Sequence, residues 1–206
     1  MVPLGLVVFD LDGTLLRGRT VCEVLADALG HENEMAAFER LTSEPDIASA
    51  RAEMALWYKA VSRTDLVGHL ANACLAPGAR EGVELLLKAN VKVGIASITW
   101  GFAAEWFAIQ LGIQQILATG LDSEGNIGHV WPRDKATWLQ GLALEHEIPL
   151  DRTAAVGDSA GDLPMLDSVA LPFFVGVQPP AGRAYIHMPG SDIREIAQII
   201  LGKWRP

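Results

Sequence analysis

Ten residues, Leu6-Val7-Val8-Phe9-Asp10-Leu11-Asp12-Gly13-Thr14-Leu15, constrain this chain more than any other stretch. Their apolar run is short and rich in β-branched residues, which suits a strand buried on both faces of a parallel sheet. It runs straight into two carboxylates. Side chains alternate along an extended chain, so Asp10 and Asp12 lean the same way while Leu11 points back into the core. Gly13 then turns the backbone without a Cβ penalty. Two acids thereby stand at the carboxyl end of a buried strand, where open α/β sheets place their ligands. Like charges about 4 Å apart cost roughly 4 kcal/mol at an effective dielectric near 20. Such a pair protonates one acid or recruits a cation, unless the segment is only a strand end with an Asp capping the turn.

Residues 20–74 read as consecutive helices. Val21, Val24, Leu25 and Leu29 form one apolar stripe that Gly30 stops, and a second helix covers residues 32–41. Ser43-Glu44-Pro45-Asp46 breaks the pattern before a third helix with Ile47, Met54, Trp57 and Val61, and a fourth spans residues 64–75. Pro77-Gly78 marks a boundary. Beyond it strands and helices alternate: a helix over 79–88, a strand over 91–96, a helix over 103–111 and a strand over 115–119. A hairpin at 121–131 follows, then a helix over 135–146, strands over 153–156 and 169–175, and a closing helix over 193–201. This alternation predicts an α/β fold, a Rossmann-like parallel sheet with helices on both faces. The run between Leu16 and Pro77 is too long for one crossover. It is expected to stand off the sheet as a helical cap over residues 17–76, inserted after the first strand, with residues 1–16 and 77–206 as the core.

A formal net charge of -9 argues against nucleic acid and anionic membrane surfaces as partners, because both require a basic patch. The two cysteines, Cys22 and Cys74, have no metal-finger spacing and fit a reducing compartment. No apolar run approaches the roughly 20 residues of a membrane span, so a cytoplasmic protein is expected. The five histidines are scattered without ligand spacing.

Three further segments carry polar groups to strand ends. Ser97-Ile98-Thr99 follows the strand over 91–96, and a hydroxyl with free N–H groups before a helix makes a phosphate cradle, or merely an N-cap. Lys135, in the first turn of a helix, either neutralises an anion or is simply solvated. Ala154-Ala155-Val156-Gly157-Asp158 ends another apolar strand in glycine and acid, and one helical turn would bring Asp162 to the same side as Asp158. Carboxylates gathered at one sheet edge beside a hydroxyl and a lysine describe how Mg²⁺ is held against a substrate phosphate. An Asp in such a site attacks a phosphoryl group and forms an aspartyl-phosphate.

The order Asp10-Leu11-Asp12-Gly13-Thr14, Ser97, Lys135, then Gly157-Asp158 with Asp162 resembles the four motifs of the haloacid dehalogenase superfamily of phosphohydrolases. The resemblance spans nearly the whole chain. It implies that Asp10 is the nucleophile and Asp12 the general acid and then base. Ser97 would bind phosphoryl oxygens and Lys135 would hold both phosphate and nucleophile. Mg²⁺ would be held by Asp10, the backbone carbonyl of Asp12, and Asp158, with Asp162 supporting.

The helical insert resembles the cap of the phosphoserine phosphatase group within that superfamily. In that group a Glu at the position of Thr20 reads the substrate amino group, and a cap Arg, matched here by Arg51, holds its carboxylate. Ile98 and Thr99 stand where the group has two glycines, and Gly161 where it has Asn. The resemblance thus implies a Mg²⁺-dependent phosphatase of a small phosphorylated metabolite. The alternatives are a phosphotransferase or phosphomutase, in which an acceptor hydroxyl replaces water, and a non-catalytic binding protein of the same fold. Trp100, next to the Ser97 segment, is the aromatic expected to meet the substrate.

Overall fold

The computed structural model describes residues 2–204; Met1, Arg205 and Pro206, which the expected core boundaries include, lie outside the described residues. The chain opens with strand β1 (Gly5–Phe9), a tight turn over Leu11–Leu15, and the short β2 (Leu16–Arg17). Helices α1 (Val21–Leu29), α2 (Glu32–Phe38), α3 (Glu44–Lys59) and α4 (Arg63–His69) follow, and β3 (Cys74–Leu75) closes this segment. Then come α5 (Ala79–Lys88), β4 (Val91–Trp100), α6 (Gly101–Leu111), β5 (Gln115–Leu121), β6 (Ile127–Gly128) and α7 (Pro132–Glu145). The chain finishes with β7 (Thr153–Gly157), α8 (Leu163–Leu166), β8 (Leu171–Phe174), β9 (Ile186–His187) and α9 (Ile193–Trp204).

Seven strands form one sheet in the order β6-β5-β4-β1-β7-β8-β9, parallel throughout except for β6, which pairs antiparallel with β5. The β1 strand lies at the centre, paired with β4 on one side and β7 on the other. After β1 the chain fills one flank, then returns to fill the other. The reversal leaves a crevice at the carboxyl ends of these three strands. Register fixes what meets there: Phe9 is level with Ile95 on β4 and Val156 on β7, so Asp10, Ser97 and Asp158 emerge at nearly one height.

Alternation along β1 sorts the core into two faces. Val7 and Phe9 join the larger apolar cluster with α5, α6 and α9, and Leu6 and Val8 join Leu139, Leu142, Met165 and Leu166 of α7 and α8. The helices between β2 and β3 are not separately cored. Their Val21, Leu25, Met54, Tyr58 and Leu66 belong to the same cluster as Trp100 at the end of β4 and Phe102 at the start of α6. The two crossings of this segment are stitched by the antiparallel pairs Leu16↔Leu75 and Arg17↔Cys74.

Local signals account for most element ends. The helix α1 begins at a capping box, Thr20 accepting from the Glu23 N–H while the Glu23 carboxylate accepts from the Thr20 N–H, and stops at Gly30 in the left-handed conformation. The segment Ser43-Glu44-Pro45-Asp46 does mark the boundary between α2 and α3, but α3 already begins within it, with Ser43 as cap and Pro45 in the first turn, where its missing N–H costs nothing. Strand β4 runs four residues past the expected end at Ala96, because a register shift against β5 between Ala96 and Trp100 lets the extended backbone continue. The β2–β3 pair and β9, each two residues long, were too short to show a period in the sequence.

Candidate active site

The tip of β1 delivers Asp10, whose N–H donates to the Val156 carbonyl at 2.9 Å and so continues the ladder for one residue. The turn that follows needs Gly13 twice over. Its φ is +80°, and a Cβ there would lie 2.2 Å from an Asp158 carboxylate oxygen. Arg17 donates to the Gly13 carbonyl, and the Thr14 hydroxyl donates to Asp158 Oδ1 at 3.4 Å.

Lys135 is not solvated, as a first-turn lysine would ordinarily be; it is 2 % exposed. Its Nζ donates to Asp10 Oδ1 and to Asp162 Oδ1, each at 2.7 Å. Asp162 is fully buried, and its other oxygen accepts from the Asp158 N–H at 3.0 Å and from the Ser159 N–H and hydroxyl, both at 3.1 Å. Asp162 thus closes a single helical turn over 160–162 and anchors Lys135 at once. Gly157 makes room for it: a Cβ at that position would sit 2.4 Å from the Asp162 Cβ.

Asp10, Asp158 and Asp162 each offer an oxygen, and these oxygens lie within 4.8 Å of one another. Asp12 stands outside that trio but beside Asp10, one of its carboxylate oxygens accepting from the Val21 N–H at the start of α1 at 2.7 Å. Ser97 is buried and accepts from the Thr99 N–H at 3.3 Å, which leaves its hydroxyl hydrogen free to donate. Ile98 is the exposed residue of an otherwise covered strand, at 38 %.

The electrostatics follow from crowding. Burial, then the Asp162 charge, pushes the Asp10 carboxyl well above its ordinary range against the pull of Lys135. Burial works against the Lys135 ammonium, but Asp10 and Asp162 outweigh it and hold its pKa above the ordinary value. Burial raises Asp12 to about 6, partly offset by bonds from the Val21 N–H and Thr99. Asp158 is likewise raised to about 6, by burial and then by Asp162. Three converging carboxylates against one ammonium leave an excess of negative charge. An all-oxygen donor set of that kind fits a hard divalent cation of the Mg²⁺ class.

Two residues expected from the sequence to meet a substrate are engaged within the protein. The Thr20 hydroxyl caps α1, a role the Thr20-x-x-Glu23 spacing itself signals, and lies 3.4 Å from Glu39. Arg51 is bonded to Ile98, Val130 and His129. Trp100 is not in the crevice: it is 1 % exposed and packs edge-on against Tyr58. Sequence reasoning missed Thr14, Arg17 and Ser159, each of which supports an acid or the turn beside it, and each of which stands within the quoted motifs or next to them.

This sheet, with acids at the ends of its central strands, defines a class, and the chain belongs to it: residues 7–167 match the sequence model of the haloacid dehalogenase-like hydrolase family. Among curated relatives, the phosphoserine phosphatase of Idiomarina loihiensis is 27 % identical over 183 residues, covering 85 % of this chain and 83 % of that one. A phosphoserine phosphatase of Mycobacterium tuberculosis is also 27 % identical over 183 residues, but this chain spans only 44 % of its length. In three dimensions the fold is similar to a phosphoserine phosphatase solved with substrate bound, with a TM-score of 0.81 at 21 % identity, covering 95 % of this chain and 97 % of the other. Among the described residues, no helix is long and apolar enough to cross a membrane.

Proposed function

We propose that this chain is a Mg²⁺-dependent phosphatase of small phosphomonoesters that works through an aspartyl-phosphate. The observation that carries the reading is the placement of Asp10, bonded to Lys135 at 2.7 Å and within reach of Asp158 and Asp162, at the carboxyl end of the central strand. Asp10, Asp158 and the backbone carbonyl of Asp12 would hold the ion, with Asp162 in support. Bound there, Mg²⁺ supplies the positive charge that keeps the acids ionised and neutralises phosphoryl oxygens.

The chain's own groups divide the rest of the work. An Asp10 carboxylate oxygen attacks phosphorus, forming the acyl-phosphate bond as the bond to the ester oxygen breaks. Asp12, with its carboxyl raised to about 6, keeps a fraction protonated near neutrality and gives that proton to the leaving alkoxide. The resulting Asp12 carboxylate then takes a proton from water, and the hydroxide oxygen bonds to phosphorus. Phosphate leaves and Asp10 is restored. The Ser97 hydroxyl and the Ile98–Thr99 backbone receive phosphoryl oxygens, and Lys135 holds Asp10 oriented throughout. Residues 17–76 serve as a cap over the core of residues 1–16 and 77–206, excluding bulk water during transfer. The relatives named phosphoserine phosphatases support a small phosphorylated metabolite as substrate.

Phosphate release from a panel of phosphorylated amino acids, sugars, nucleotides and alcohols, with and without Mg²⁺, tests this. Turnover that requires Mg²⁺ and is abolished in Asp10→Asn is expected, with Asp12→Asn about 10²- to 10⁴-fold slower. Absence of release from every ester would sink the reading. Delivery of phosphate mainly to an added alcohol would point to a phosphotransferase instead.

A further inference from the structure

Arg51 stands mid-way along α3 and is 5 % exposed. Its Nη2 donates to the Ile98 carbonyl at 2.8 Å and to the Val130 carbonyl at 3.2 Å, and its Nη1 lies 3.2 Å from His129 Nδ1. The guanidinium carbon is 4.8 Å from the centre of the Trp131 ring, on which His129 stacks at 5.3 Å. Thr119 completes the joint. Its hydroxyl donates to the same Ile98 carbonyl at 2.9 Å and accepts from the Val130 N–H at 3.3 Å.

A guanidinium grips a carboxylate through two parallel N–H groups, either Nη1 with Nη2 or Nε with Nη2. Both forks require Nη2. That nitrogen has two hydrogens and already serves two backbone carbonyls. A substrate carboxylate would have to displace one of them and leave it without the Arg51 donor in a site from which water is largely excluded. Meanwhile Ile98 lies between Ser97 and Thr99, so the same bond that occupies Arg51 fixes the phosphate-facing segment of β4 to α3.

We propose that Arg51 is a positioning residue, a clamp that ties α3 to the Ser97–Thr99 segment and to residues 129–131, and that it does not read a carboxylate on the substrate. The leaving group then needs no carboxylate, which widens the substrate class to phosphorylated alcohols that lack one. The inference rests on the phosphatase reading only for its kinetic consequence; the clamp itself is a property of the fold.

Kinetics on O-phosphoserine and on O-phosphoethanolamine, its analogue without the carboxylate, separate the two roles in wild type, Arg51→Gln and Arg51→Lys. For a clamp, kcat/KM for both esters falls by a similar factor of about ten or more, because a displaced catalytic group costs rate whatever the leaving group. A loosened clamp also delivers more of the phosphoryl group to added methanol in competition with water. Loss concentrated about tenfold or more on phosphoserine would overturn the proposal, as would unchanged kinetics on both esters. Amide hydrogen exchange on the same proteins is independent of turnover. Faster exchange at residues 97–99 and 129–131 in R51Q, with circular dichroism unchanged, is expected; unaltered exchange there overturns the clamp even if no ester is hydrolysed. If R51Q does not fold, R51K gives both readouts. Failure of the phosphatase reading shows separately, as absence of Asp10-dependent release from p-nitrophenyl phosphate by the wild type.

Discussion

Lys135 donates to Asp10 across 125 residues of chain, at 2.7 Å, in a place almost closed to solvent. The pair is not an isolated ion pair, because Asp162 shares the same ammonium at the same distance. A buried charge of this kind stabilises only through the company it keeps.

Replacing Lys135 by Met keeps the bulk and removes the charge. Two carboxylates then share a buried site with no cation, which destabilises the fold by about 3–5 kcal/mol. Urea unfolding of the metal-free protein measures this. Mg²⁺ should restore part of the loss, since the ion compensates the same carboxylates; a variant as stable as wild type would contradict the role assigned to Lys135.

The turn after β1 makes a second, geometric prediction. Gly13→Ala introduces a Cβ 2.2 Å from an Asp158 oxygen at a φ of +80°. Asp158 must move, and backbone strain adds about 1–3 kcal/mol. The Mg²⁺ concentration for half-maximal activity should rise about tenfold or more, in line with loss of a groups-in-place metal site. Titrating activity against Mg²⁺ checks it, and an unchanged midpoint would show that Asp158 does not hold the ion.

Stability of the metal-free protein should depend on pH with an unusual sign. Burial raises Asp12 and Asp158 from 3.8 to about 6. Between those values the folded state binds more protons than the unfolded chain, so the contribution of each acid is full below about pH 4 and is lost as pH rises through about 6. Measured as the difference between wild type and Asp158→Asn in EDTA, stability should fall from pH 4 to 6.5. With saturating Mg²⁺ the trend reverses, because the ion binds the ionised carboxylates. A flat difference in EDTA would mean that Asp158 is solvated.

Legibility in the sequence followed the range of the interaction. The α5 boundaries and the Gly30 helix stop come from propensities that act within a few residues, and they stand where the pattern placed them, whereas the hairpin expected over 121–131 is shorter, pairing Gly120 and Leu121 with Gly128 and Ile127. The end of β4 did not, because its extension through Ser97 depends on how β5 pairs with it. The Thr20 capping box is equally local, carried by the Thr-x-x-Glu spacing alone, and it commits the Thr20 hydroxyl to the helix rather than to a substrate.

By itself the sequence determined the alternation of strands and helices and the polar residues at their ends, because period, turn chemistry and glycine placement are written in neighbouring residues. Asp10, Asp12, Ser97, Lys135, Asp158 and Asp162 were all visible in that way. Only the tertiary structure decided what each of them faces. It buried Lys135 between two acids, turned Asp12 toward the start of α1, sank Asp162 beneath the Asp158 turn and committed Arg51 to the carbonyls of Ile98 and Val130. Those partners lie between 4 and 125 residues away along the chain. The longer-range choices among them are made by packing, which brings strand ends and helix faces together and leaves each buried polar group to find its bond there.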